Sequence, residues 1–116
     1  AAMQLCSQYG ISLVLISLGA KGCLATVGNK FYTAPTYDVK TIDTTGCGDS
    51  FLAGVLHHLI TCKVNPSELS LDQIKSMLSF ANAVGSLVST KKGAIPALPT
   101  QEEIETCIRS CKLLTV

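Results

Sequence analysis

Asp43-Thr44-Thr45-Gly46-Cys47-Gly48-Asp49 is the stretch on which the reading of this chain turns. Two glycines allow a tight backbone and bring bare N–H groups close to a ligand. A segment with helical apolar spacing starts directly after it. The first turn of a helix carries unpaired N–H groups and the positive end of the dipole, which together seat phosphate. A carboxylate at that seat would repel a bound phosphate, so Asp49 needs a chemical reason to be there. Taking a proton from a hydroxyl that then attacks phosphorus supplies one. The pattern points to phosphoryl transfer. Asp and Ser are also favoured at ordinary turns and helix starts, so spacing alone leaves a plain turn open.

Working outward, Ser50 to Cys62 reads as a helix with Phe51, Val55, Leu56 and Leu59 on one apolar face. No metal role is expected for His57 and His58, which lack carboxylate or cysteine partners at ligand spacing. On the N-terminal side, Ala1 to Tyr9 has the pattern of a helix end closed by Gly10. Ile11 to Leu18 is a nearly continuous apolar run, as in a strand buried on both faces of a parallel sheet. Gly22 to Val27 and Lys30 to Ala34 are short β-type runs about Gly28-Asn29, a hairpin signal. Tyr37 to Ile42 is a further extended piece. On the C-terminal side, Asn65-Pro66 starts a short helical turn. Ser70-Leu-Asp-Gln73 is a capping box opening a long helix to about Val88, with Ile74, Met77, Leu78, Ala81, Val84 and Leu87 inward. Thr100-Gln-Glu-Glu103 is a second capping box, opening a last helix through about Leu113. Ile104, Ile108, Leu113, Cys107 and Cys111 form its apolar face. The alternation of strands and helices after the hairpin indicates an α/β sandwich.

Composition narrows the function. The chain has 116 residues, 47% hydrophobic and 15% charged, with net charge +1. That is at most one globular unit, and near-neutral charge argues against nucleic acid or an anionic membrane as the main partner. No apolar run approaches the ~20 residues that span a bilayer, and there is no signal-peptide pattern. None of the cysteines at 6, 23, 47, 62, 107 and 111 forms a C-x-x-C pair. They read as buried free thiols in a reducing compartment, so a cytoplasmic location is expected. There is no Gly-x-x-x-x-Gly-Lys-Ser/Thr loop, which argues against a P-loop kinase.

The 43–49 stretch resembles the second signature of the PfkB-type (ribokinase-like) carbohydrate kinases, Asp-Thr-x-Gly-Ala-Gly-Asp. Three more segments follow that family's order: Ser17-Leu-Gly-Ala-Lys-Gly22, Phe80-Ala-Asn-Ala-Val-Gly-Ser86 and the glycine- and proline-bearing loop from Thr90 to Thr100. The wording of residues 43–52 and 80–100 is most similar to fructokinases. The resemblance implies a ribokinase-like three-layer α/β/α sandwich. Residues 1–116 would be its C-terminal, nucleotide-binding and catalytic part. It further implies ATP-dependent phosphorylation of a sugar hydroxyl, fructose to fructose 6-phosphate. A ribokinase or adenosine-kinase relative and a non-catalytic PfkB-like binding module stay open beside it.

By the same resemblance Asp49 is the general base, and the N–H groups of Gly46, Cys47 and Gly48 stabilise the transferring phosphoryl group. Ser17, Gly19, Gly22, Gly48 and Asn82 line the nucleotide cleft. A monovalent cation, usually potassium, would be held by Asp43, Thr45 and main-chain oxygens near Val88, Lys91 and Gly93. ATP would come with Mg²⁺. Sugar-contacting residues, a lid and a magnesium-placing Asn-x-x-Glu segment lie upstream in the family. These residues alone are therefore expected to be inactive and to bind sugar weakly or not at all. A homodimer is allowed for the full-length protein. Cys47 stands where Ala is commoner; it is small enough to fit, and it could sensitise the turn to oxidants if exposed. Vitamin-kinase relatives carry cysteine at the base position, so Asp49 favours a sugar.

Overall fold

The computed structural model describes residues 2–37, 39, 41–42, 44, 46–90 and 99–110. Helix α1 (Ala2–Tyr9) stops where Gly10 enters the left-handed region at φ 64°, a conformation glycine adopts without strain. Strands β1 (Val14–Ser17), β2 (Cys23–Val27) and β3 (Lys30–Ala34) form an antiparallel sheet in that order. Val27 pairs with Lys30 across the Gly28-Asn29 turn, as the sequence predicts.

The apolar run at 11–18 behaves differently from expectation. Among the described residues β1 pairs only with β2, and antiparallel. Val14 to Ile16 are half-buried and Ser17 is exposed. The strand covered on both faces is β2, where Ala25 and Thr26, neighbours that point to opposite faces, are 0% and 1% exposed. Apolarity states which surface a strand must hide; it does not state which partner hides it.

Helix α2 (Cys47–Cys62) begins earlier than the predicted Ser50, so Cys47, Gly48 and Asp49 are its first turn. Helix α3 (Leu71–Ser89) opens with the predicted capping box: Gln73 N–H donates to Ser70 Oγ at 3.2 Å and Ser70 N–H to Gln73 Oε1 at 2.9 Å. Helix α4 (Gln101–Ser110) opens with its own, between Thr100 and Glu103 at 3.2 and 3.0 Å. Leu113 and Cys111 lie outside the described residues. No described helix is long and apolar enough to cross a membrane.

Two apolar clusters meet on α3. Ile74, Met77, Leu78 and Ala81 pack with Cys23, Ala25 and Val27 of β2 and with Val55 of α2. Ala83 and Val84 pack with Tyr37 and with Ile104 and Cys107 of α4. The α2–α3 contact is close because Gly54 faces Ala81. A Cβ on Gly54 would sit 3.0 Å from the Ala81 Cα. Leu56, expected on this inner face, is 51% exposed, and Leu52 and Ile60 are exposed as well. The narrow seam centres on Gly54 and Val55, and Leu56 lies a further ~100° around the helix.

Gly54→Val is expected to push α2 away from α3 and lower unfolding free energy by about 1–3 kcal/mol, the usual cost of overpacking. Denaturant unfolding measures it, and an unchanged midpoint would contradict the close contact.

Candidate active site

Three pieces of backbone converge on one cleft of about 390 Å³, within the size range of small-molecule sites. The end of β1 and the tight 3-10 turn that follows (Gly19–Lys21) supply Ser17, Gly19 and Gly22. The N-terminus of α2 supplies Cys47, Gly48 and Phe51. The middle of α3 supplies Asn82, Gly85, Ser86 and Ser89. Four segments far apart in sequence thus share one wall or floor, counting the 36–44 linker, which adds Thr41 and Thr44.

Each piece has a local cause. Gly22 has φ 98°, and a Cβ there would meet the Ala34 carbonyl oxygen. Only glycine lets the β1–β2 turn close against the end of β3. Gly46 caps α2 in the left-handed region at φ 78°, which reverses the chain into the helix. The Cys47 N–H donates to the Thr44 carbonyl at 3.2 Å, and the helical ladder starts with Ser50 N–H to Gly46 carbonyl at 2.9 Å. The amides of Gly48 and Asp49 therefore precede that ladder at the positive end of the dipole. Gly85 faces the first turn of α2: a Cβ there would make ordinary contact, 3.4 Å from the Cys47 carbonyl oxygen.

Of the residues nominated from sequence, Ser17, Gly19, Gly22, Cys47, Gly48 and Asn82 all line this cleft. Asp49 is exposed in the first turn of α2, beside Gly48 and outside the cleft lining. Gly46 is half-buried behind the turn. Asp43, Thr45, Lys91 and Gly93 lie outside the described residues. Val88 is fully buried in the last turn of α3. The neighbouring Ser89 carbonyl accepts the Ile42 N–H at 2.7 Å, which draws the approach to the glycine turn onto the end of α3.

Asn82 lines the cleft and is also tied into the fold. It is 4% exposed, and its Nδ2 donates to the Pro35 carbonyl at 3.2 Å. It also hydrogen-bonds the Cys23 thiol. Its amide ties α3 to the end of β3 and so props the cleft. Burial pushes the Cys23 thiol above the usual range, and hydrogen bonds with Asn82 and the Ala34 backbone offset part of that. Cys23 is thus a neutral floor residue. Tyr37, Val39 and Thr41 were not nominated; they sit in a linker without periodicity or motif, so no local signal marks them.

Residues 1–101 match the pfkB family carbohydrate kinase. The chain belongs to that family. Fructokinase-1 of Oryza sativa subsp. japonica is 40% identical over 96 residues, covering 81% of this chain and 28% of the relative. Fructokinase-2 of Solanum habrochaites is 41% identical over 101 residues, covering 85% and 30%. Among solved structures, a fructokinase of Vibrio cholerae O395 in a fructose-, ADP- and calcium-bound form superposes with TM-score 0.78 at 36% identity, covering 90% of this chain and 33% of that one. A ribokinase of Thermotoga maritima superposes with TM-score 0.74 at 28% identity, covering 90% and 32%. The chain therefore spans about a third of the length of the relatives it matches, and its structural neighbours are ribokinase-fold kinases.

Two outcomes are expected. Gly22→Ala destabilises the protein by more than ~2 kcal/mol, because both the left-handed φ and the Ala34 carbonyl oppose a Cβ; thermal or denaturant unfolding checks it. In the folded state Cys23 resists alkylation at a pH where an ordinary thiol reacts. Its reaction should start only at higher pH, since a raised pKa keeps the thiol protonated until then. Mass-spectrometric mapping of alkylated cysteines against pH reads this, and early labelling of Cys23 would refute its buried, neutral state.

Proposed function

We propose that the protein carrying this chain phosphorylates a sugar hydroxyl from ATP, with fructose as acceptor and fructose 6-phosphate as product. The observation that carries the reading is the convergence of Ser17, Gly19, Gly22, Gly48 and Asn82 on one cleft that ends at the N-terminus of α2. Fructokinase relatives at about 40% identity favour fructose over other sugars. The fold of the whole is a three-layer α/β/α sandwich in this reading, and residues 1–116 form its C-terminal, nucleotide-binding part.

The chemistry follows from the turn. The β1–β2 turn and α3 would hold the nucleotide, and the start of α2 would receive its phosphates. The amides of Gly46, Cys47 and Gly48 take charge from the transferring phosphoryl group, the Cys47 amide exchanging its bond to Thr44 for the ligand. Asp49 is exposed, so its carboxylate is open to an acceptor hydroxyl arriving from outside the cleft, and it removes that proton during attack. Asn82 acts by holding the wall against Pro35. Magnesium accompanies ATP. The Ile42 N–H donates to the Ser89 carbonyl, which brings Ile42 to the end of α3; a potassium ion would be shared by Asp43, Thr45 and main-chain oxygens near Val88, Lys91 and Gly93. Such an ion would supply positive charge behind the anion turn. Cys23, Cys47, Cys62 and Cys107 are in no disulfide, which fits a cytoplasmic location.

Asp49→Asn in the complete protein is expected to lower kcat by about 10²–10⁴-fold, the usual worth of a general base. KM for ATP should barely change, since the carboxylate does not hold the nucleotide. Coupled measurement of ADP release with fructose, glucose, ribose and adenosine tests both the base and the acceptor. Undiminished turnover in the variant would remove Asp49 from the mechanism.

A further inference from the structure

We propose that His58 and Cys62 form a binding site for a zinc-class divalent cation at the C-terminal end of α2. His58 Nε2 lies 3.6 Å from Cys62 Sγ. A tetrahedral zinc ion bonded to imidazole nitrogen at about 2.0–2.1 Å and to thiolate sulfur at about 2.3 Å holds those atoms roughly 3.6 Å apart. The pair already stands at the bite of one tetrahedral metal. Cysteine at one helical turn from His58 is the partner that the sequence reading overlooked when it gave the two histidines no ligand at metal spacing.

The surroundings hold that bite and keep it reachable. Residues one turn apart share a helix face, so the backbone fixes their separation. The His58 ring rests against Phe80 with centroids 6.2 Å apart, which limits its rotation. His57 stacks on the same phenyl ring at 5.5 Å, and its Nε2 lies 3.4 Å from Thr61 Oγ1. It belongs to a neighbouring pair. Cys62 is a free, exposed thiol. As its sulfur binds the metal, its proton passes to solvent.

The helix end favours a cation. The last turn of α2 carries no basic side chain, and the C-terminal end of the dipole is negative. Lys63 follows the helix as an exposed residue, where solvent screens its charge. Among the described residues no third His, Cys, Asp or Glu completes a cluster. Water would fill the remaining positions, giving an open and exchangeable site. His58 and Cys62 lie ten and fourteen positions beyond Gly48, about 15 and 21 Å along the helix, so the site is distinct from the cleft.

The test is a Cd²⁺ titration of the complete, reduced protein, followed by the thiolate-to-cadmium charge-transfer absorption, with Zn²⁺ as competitor. A saturable band that zinc displaces is expected. Cys62→Ser should remove it, His57→Gln should leave it, and His58→Gln, which keeps the thiol, should weaken affinity about tenfold or more. Circular dichroism confirms that the variants fold. If His58→Gln binds like the parent, Cys62 is only a lone thiol and the site does not exist. If Cys62→Ser keeps the band, the metal sits on another cysteine and the proposal fails.

Discussion

The close approach of α2 to α3 is the constraint on which the site depends. Gly54 faces Ala81, and Gly85 faces the Cys47 carbonyl, so small residues line the seam at two levels. Gly54 is the tight level, where any added side chain would press on the Ala81 backbone and tilt or displace α2. Its N-terminus would then leave the end of the cleft, and the dipole would point at solvent. The position of the α2 N-terminus at the cleft is thus a packing result as much as a property of the glycine turn. Fully buried Ala81 and Val55 show how little free space the seam contains; close-packed interiors transmit such displacements rather than absorb them.

A second set of contacts fixes the opposite wall. Gly22 lets the β1–β2 turn press on Ala34, and Asn82 reaches from α3 to the Pro35 carbonyl one residue later. The Ile42–Ser89 bond then anchors the linker before the glycine turn. These three ties hold the described residues between β3 and α2 against the rest of the fold. A buried amide such as that of Asn82 has to be hydrogen-bonded, and here the bond has a directional use. Cys23 beneath it stays neutral, which keeps the floor of the cleft free of a charge that would repel an anionic nucleotide.

Local signals were legible where a single segment carries its own cause. Both capping boxes, the Gly28-Asn29 hairpin and the Gly10 stop depend on neighbouring residues alone, and each stands where the sequence places it. Six nominated residues share the cleft because family motifs encode a tertiary arrangement that composition does not. The errors have one physical origin. Leu56 stands outward rather than inward, and among the described residues β1 is half-buried and pairs antiparallel with β2 alone. Each of those placements needed knowledge of what stands opposite the residue.

The sequence by itself determined the helix ends, the hairpin register, the glycine turn with Asp49 beside it, and membership of a carbohydrate kinase family. Short-range hydrogen bonds and glycine's access to positive φ are written in neighbouring residues, so those features need no further context. Only the tertiary structure decided that α2 starts at Cys47, that Asn82 braces Pro35 and that β2 is the strand covered on both faces. It alone brings the Thr41 and Thr44 linker into the cleft. Those outcomes depend on which surfaces meet across long sequence separations, and close packing of whole elements, rather than any local preference, selects among them.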